Sequence, residues 1–179
     1  MTALVAANYF KSGQVLTVPK EALVGGSSMD LVAGEQMTFR SLLYGMMLNS
    51  GNDAAYTLAN NYVGGLSNFI DQMNQRALQM GLKNTHFQNP AGFDNNQHYT
   101  SAADMAQIAK IFTQDALLAK IVATKSTSVL SFDKSHQHIL TNLNKLLGQD
   151  GVVGIKTGTT EASGENLVTL VERDGHRIL

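Results

Sequence analysis

Three consecutive residues of this 179-residue chain, Lys156, Thr157 and Gly158, bring together an ammonium, a hydroxyl and a position without a Cβ. That combination suits an anion grip. The charge attracts a carboxylate, the hydroxyl hydrogen-bonds it, and glycine lets a ligand backbone lie close. Far upstream, a second polar trio, Ser50-Gly51-Asn52, interrupts apolar sequence on both sides. Because they straddle a glycine, the Ser50 hydroxyl and the Asn52 amide can project to the same side of a tight loop. There they can relay a proton and hold a peptide carbonyl. Each trio also has an ordinary structural reading. A Lys-Thr-Gly tripeptide in a hairpin is most often a solvated turn, while Asn52 or Asp53 can cap one helix and Gly51 end another. Ile155, not glycine, precedes Lys156, which excludes a Walker-type phosphate loop.

The flanking sequence says what must position these groups. Val152, Val153 and Ile155 read as one strand and Asn166 to Val171 as a second, joined by a hairpin through Ser163 and Gly164, so Lys156 to Thr159 lie at a strand end. Thr38 caps a helix in which Phe39, Leu42, Leu43, Met46 and Met47 form one apolar stripe. A second helix buries Ala55, Leu58, Ala59 and Tyr62. The pattern predicts a third from about Ser67, with Phe69, Ile70, Met73, Ala77 and Met80 inward and Gly81 as its stop. Ser101-Ala102-Ala103-Asp104 has the spacing of a capping box and opens a fourth, carrying Met105, Ile108, Ala109 and Phe112. A short helix from Leu117 to Val122 precedes a hairpin of Thr127–Phe132 and Gln137–Leu140. Residues 12–34 read as irregular, apart from a short strand at Val15, Leu16 and Val18. Helices first and strands last make an α+β arrangement, with a helical lobe packed on an antiparallel sheet. The whole chain, residues 1–179, is expected to form one partial domain.

Composition removes several function classes. A chain 44% hydrophobic and 15% charged can bury a core, and a net charge of −1 offers nucleic acid no electrostatic footprint. Without cysteine there is neither a disulfide framework nor a thiolate metal site. The histidines show no metal-ligand spacing. His136-x-His138 would share one face of a strand, and two surface residues is the simpler reading. No apolar run approaches the roughly 20 residues of a membrane span. The apolar helix at residues 3–10 and the strand starting at His176 sit hard against the two ends. An internal fragment of a longer protein is therefore expected.

Penicillin-binding proteins and class A β-lactamases share a catalytic set of Ser-x-x-Lys, Ser-Asp-Asn and Lys-Thr-Gly. The second and third elements stand here in that order, as Ser50-Gly51-Asn52 and Lys156-Thr157-Gly158. Around them, Leu42-Leu43-Tyr44-Gly45-Met46-Met47-Leu48-Asn49 and Asp53-Ala54-Ala55 complete a helix-and-loop signature. Asn89-Pro90-Ala91-Gly92-Phe93, His98 to Ala106, and Gly154 to Thr160 with Ser163 to Val168 carry further matches. With these segments the chain resembles the low-molecular-weight penicillin-binding proteins, the serine-type D-alanyl-D-alanine carboxypeptidases, over nearly its whole length. In that family a stretch similar to Met1-Thr2-Ala3-Leu4-Val5-Ala6 directly follows the Ser-x-x-Lys nucleophile motif, so the chain is expected to start just after that lysine. Ser131-Phe132-Asp133-Lys134 has the spacing but opens no apolar helix. Many relatives also carry an arginine where this chain has Leu143, which shifts the binding of a terminal carboxylate onto Lys156 and Thr157.

The resemblance implies an acyl-enzyme mechanism in the full-length, penicillin-sensitive protein. A serine outside this chain attacks the carbonyl between two D-alanines of a peptidoglycan stem peptide, and a neighbouring lysine is its base. Ser50 passes a proton to the leaving D-alanine, and Asn52 holds the substrate amide. Lys156, with Thr157, engages the terminal carboxylate. Gly158 leaves room for the substrate, and the Thr159 N–H supplies half of an oxyanion hole. No metal or organic cofactor is implied. The expected place is the bacterial envelope, outside the cytoplasmic membrane, and the expected partners are stem peptides and β-lactams. Without nucleophile and base, the chain by itself is expected to be inactive. Alternatives are an endopeptidase or class A β-lactamase of the same fold, or a binding module without a nucleophile. The lactamase lacks support, since no Glu-x-x-x-Asn segment lies between the two motifs.

Overall fold

The computed structural model describes residues 1–179. The chain opens with α1 (Thr2–Tyr9) and β1 (Val15–Thr17), then a 3-10 turn at Lys20–Ala22 and β2 (Gln36–Thr38). Five helices follow: α2 (Phe39–Leu48), α3 (Asn52–Asn60), α4 (Gly65–Gln79), α5 (Ala102–Phe112) and α6 (Ala116–Val122). The remainder is β3 (Ser126–Leu130), β4 (Gln137–Thr141), β5 (Val152–Thr160), β6 (Gly164–Arg173) and β7 (His176–Ile178). The α+β class holds. The strands form three separate antiparallel sheets rather than one, ordered β1-β2, β3-β4 and β5-β6-β7. No helix is long and apolar enough to cross a membrane.

The helix that leads into the site is set by its first and last residues. The Thr38 hydroxyl accepts from the Ser41 N–H at 3.1 Å, and the stripe from Phe39 to Met47 is buried as its spacing requires. Gly45 stands beside that stripe where Met29 packs down on the helix. A Cβ there would collide with the Met29 Sδ. The opposite wall of the core is reached by a similar device. At Gly154 an added Cβ would lie 2.9 Å from Val122 Cγ2, so the missing side chain lets β5 lie close on α6.

Three expectations need correcting. α4 begins at Gly65 rather than near Ser67, and α3 ends at Asn60, leaving Tyr62 half-buried beyond it. The junction before α3 carries no side-chain cap: Gly51 holds the N-cap position, and neither Asn52 nor Asp53 plays the capping role. His138, read as a surface residue, is buried with Leu140, while Ile139 between them is 76% exposed. Its ring finds two hydrogen-bond partners inside, the Met29 carbonyl and the Glu35 carboxyl group, which offset the loss of water.

Candidate active site

Ser50 lies at the junction of α2 and α3, in the left-handed region with φ 58. A residue with a Cβ pays about 1–2 kcal/mol for that conformation. The surroundings over-determine it. The Gly45 carbonyl accepts from both the Asn49 and Gly51 N–H groups, at 3.2 and 3.1 Å. A Cβ on Gly51 would stand 2.8 Å from Asp53 Oδ1, 3.2 Å from the Gly45 oxygen and 3.3 Å from the Met29 nitrogen. A Cβ between Ser50 and Asn52 would therefore crowd its neighbours, and the left-handed turn at Ser50 leaves the Ser50 hydroxyl facing β5.

There it meets Lys156. The ammonium donates to Ser50 Oγ at 2.8 Å and to the Thr157 carbonyl at 2.7 Å. No carboxylate pairs with it. Burial pushes its pKa down from 10.5 to about 8. A mostly buried cation facing a hydroxyl, with its positive charge uncompensated, is an electrostatic seat for an anion. Beside it, Gly158 and Thr159 are exposed, and a Cβ on Gly158 would meet nothing within 4 Å. β5 pairs with β6 through Lys156↔Val168, Thr157↔Leu167, Gly158↔Asn166 and Thr159↔Glu165, and has no partner strand on its other edge. That edge can accept an extended peptide.

Asn52, the third polar residue of the junction, does not bond to Ser50 or Lys156. Its Nδ2 donates to the Gly25 carbonyl at 3.0 Å, and its backbone N–H to the Ser27 carbonyl at 2.8 Å. The approach is close: a Cβ on Gly26, at φ +85, would fall 2.6 Å from Asn52 Nδ2. This loop lies in the stretch, residues 12–34, that is irregular by its sequence pattern. It is organised by Asp53, whose buried carboxylate accepts from Ser28 Oγ at 2.7 Å and from the Met29 and Leu31 N–H groups at 3.1 and 3.0 Å. Asp53 thus faces across to the loop that holds Asn52.

Phe93 and Asp94 close another side. Asn89 Oδ1 accepts from the N–H groups of Ala91, Gly92 and Phe93 and sets the loop. Phe93 then lies 6.1 Å, centroid to centroid, from Tyr56, whose phenol burial pushes up in pKa. Asp94 accepts from the Ala162 N–H at 3.1 Å at the tip of the β5–β6 hairpin. The Thr160 hydroxyl, and then this N–H, hold its carboxyl below the usual range. Ser131, in the stray Ser-x-x-Lys spacing, is instead spent on a turn with Asp133 at 2.6 Å.

Comparison with known proteins bears on this arrangement. The family profile described as D-alanyl-D-alanine carboxypeptidase matches residues 1–179. D-alanyl-D-alanine carboxypeptidase DacF of Bacillus subtilis is 37% identical over 161 residues, 89% of this chain and 41% of the relative. DacA of Escherichia coli is 33% identical over 182 residues, covering 97% of this chain and 44% of its own length. The chain spans about half the length of the curated relatives it matches. Among solved structures, a Streptomyces DD-transpeptidase superposes with a TM-score of 0.91 at 30% identity, over 98% of this chain and 74% of that one. A D-alanyl-D-alanine carboxypeptidase from Mycobacterium tuberculosis gives 0.91 at 29% identity, over 98% and 67%. The chain belongs to the D-alanyl-D-alanine carboxypeptidase family.

Proposed function

We propose that these residues form the substrate-binding and proton-relaying part of a serine-type D-alanyl-D-alanine carboxypeptidase. Its substrate is a peptidoglycan stem peptide ending in two D-alanines, and its place is the bacterial envelope, outside the cytoplasmic membrane. The observation that carries this reading is the 2.8 Å contact between Lys156 Nζ and Ser50 Oγ, with no carboxylate on the ammonium and an open strand edge beside it. Lys156 and the Thr157 hydroxyl take the terminal carboxylate. The substrate backbone lies along Gly158, where no Cβ obstructs it, and the Thr159 N–H faces the carbonyl oxygen that becomes an oxyanion. Ser50, holding a hydrogen bond from the ammonium, delivers a proton to the departing amine of D-alanine. Asn52 holds the preceding amide of the substrate.

The attacking serine in this scheme belongs to a Ser-x-x-Lys segment, and residues 1–179 contain that spacing only at Ser131, which is committed to its turn. Residues 1–179 alone should therefore bind without turning over. D-alanyl-D-alanine should shift the backbone amide resonances of Thr157, Gly158 and Thr159, and Lys156→Ala should remove the effect. After incubation with penicillin, intact-mass measurement should show no acyl adduct. An adduct on any serine of these residues would mean that the site has been misplaced.

A further inference from the structure

The sheet β3–β4 places its only buried polar side chain, His138, far from its neighbours in sequence and against the loop that serves Asn52. Its Nδ1 lies 2.8 Å from the Met29 carbonyl, which can only accept, so that nitrogen carries a proton. Its Nε2 lies 2.7 Å from Glu35 Oε1. One further proton occupies this bond, whichever partner holds it. The other Glu35 oxygen accepts from the Val32 N–H at 3.0 Å. Both side chains are nearly fully buried, at 5% and 1% exposure. Met29 is thus gripped from two directions: its carbonyl by His138, and its N–H by Asp53. Asp53 is adjacent to Asn52, and the same loop supplies both hydrogen bonds that hold Asn52, from Gly25 and Ser27.

We propose that His138, seated by Glu35, is a positioning residue for the candidate site: it fixes the Gly25–Glu35 loop through the Met29 carbonyl and so sets the Asn52 amide. The assignment of Asn52 to substrate binding rests on the function proposed above, but the positioning itself does not, and the two fail separately. β4 also braces the other half of the junction. The Thr141 N–H donates to Asn49 Oδ1 at 2.8 Å, beside Ser50. One short strand therefore holds both flanks of Ser50-Gly51-Asn52, with His138 supplying its side-chain hydrogen bond to the Asn52 flank.

Two variants separate positioning from mere stability. In Glu35→Gln, the amide nitrogen donates to a neutral His138 while the new carbonyl oxygen still accepts from Val32, so every hydrogen bond survives without charge. In Glu35→Gln/His138→Ala no charge is left stranded, but the link to Met29 is gone. Hydrogen exchange on residues 1–179 should leave the Met29, Leu31 and Asn52 amides of E35Q close to wild type. In the double variant those three should exchange about tenfold faster or more, as a local opening permits, with the β5–β6 ladder unchanged. The Asn52 side-chain NH₂ resonances should move only in the double variant. Wild-type protection in the double variant would overturn the proposal. So would a parallel loss of protection across the whole chain, or in E35Q an effect as large as in the double variant.

Discussion

The Lys156 ammonium donates to the Ser50 hydroxyl across 106 positions of sequence, and no acid shares it. Burial holds its pKa near 8, so the charge is present below that value and lost above it. Affinity for a carboxylate should follow. Titrating acetate or D-alanyl-D-alanine against residues 1–179, with the Gly158 amide as reporter, should show binding well below pH 8 that fades as pH rises through it. Binding that stays constant far above that pH would assign the anion to another group.

The same buried charge should cost stability. Its folded pKa of about 8 lies below the ordinary 10.5, so between those values the unfolded chain binds more protons than the folded one. Stability from this group therefore rises with pH across that window. Lys156→Met should be more stable than wild type at neutral pH by roughly 1–2 kcal/mol, because it removes a charge that burial disfavours. That advantage should shrink as pH approaches 10.5. Chemical denaturation at the two ends of the window measures both the sign and the trend.

Ser50 stores strain of a different kind. Ser50→Gly and Ser50→Ala both remove the hydroxyl that Lys156 uses, but only glycine is at ease at φ 58. Ser50→Gly should be the more stable of the two by about 1 kcal/mol. Equal midpoints in urea would show that the backbone relaxes out of the left-handed region once the hydroxyl is gone.

What was legible in the sequence was what short spacings encode. The stripe from Phe39 to Met47 is buried, the Thr38 and Ser101 caps form, and the strand of Lys156 pairs with Asn166–Val171 as a hairpin. Ser50 and Lys156 do come within hydrogen-bond distance of each other. The Asn52 amide, expected beside the Ser50 hydroxyl, donates to Gly25 and bonds to neither Ser50 nor Lys156. Its partners lay in residues 12–34, where no period of 2 or 3.6 marks a loop whose order comes from one carboxylate, Asp53, reached only on folding. His138 reads as a surface residue because its partner Glu35 is 103 residues away. The one local clue was period 2 with Leu140, and the apolar Ile139 between them points the other way.

Asp53 should accordingly matter more than a helix cap. Asp53→Ala leaves the Met29 and Leu31 N–H groups buried without an acceptor, at roughly 1–3 kcal/mol each. Asp53→Asn retains one acceptor oxygen and should cost less. The ordering wild type, D53N, D53A in denaturation midpoint is the expected result. A midpoint for D53A within the range of an ordinary surface substitution would remove Asp53 from the loop's support.

The β6 edge should govern the behaviour of the chain in solution. β7 pairs only with Val171, Glu172 and Arg173, so β6 from Gly164 to Leu170 has β5 on one side and no strand on the other. Nearby, Leu167, Ile178 and Leu179 are 46%, 62% and 44% exposed. Unpaired N–H and C=O groups next to exposed aliphatic side chains are a template for another chain. Residues 1–179 on their own should associate as concentration rises. Leu167→Lys puts a charge on the exposed face of that strand, where a second chain would have to desolvate it, and should lower the association without changing the fold. Sedimentation across a concentration series compares the two. A wild-type chain that stays monomeric throughout and melts reversibly would show that the open edge is already protected by its own twist and side chains.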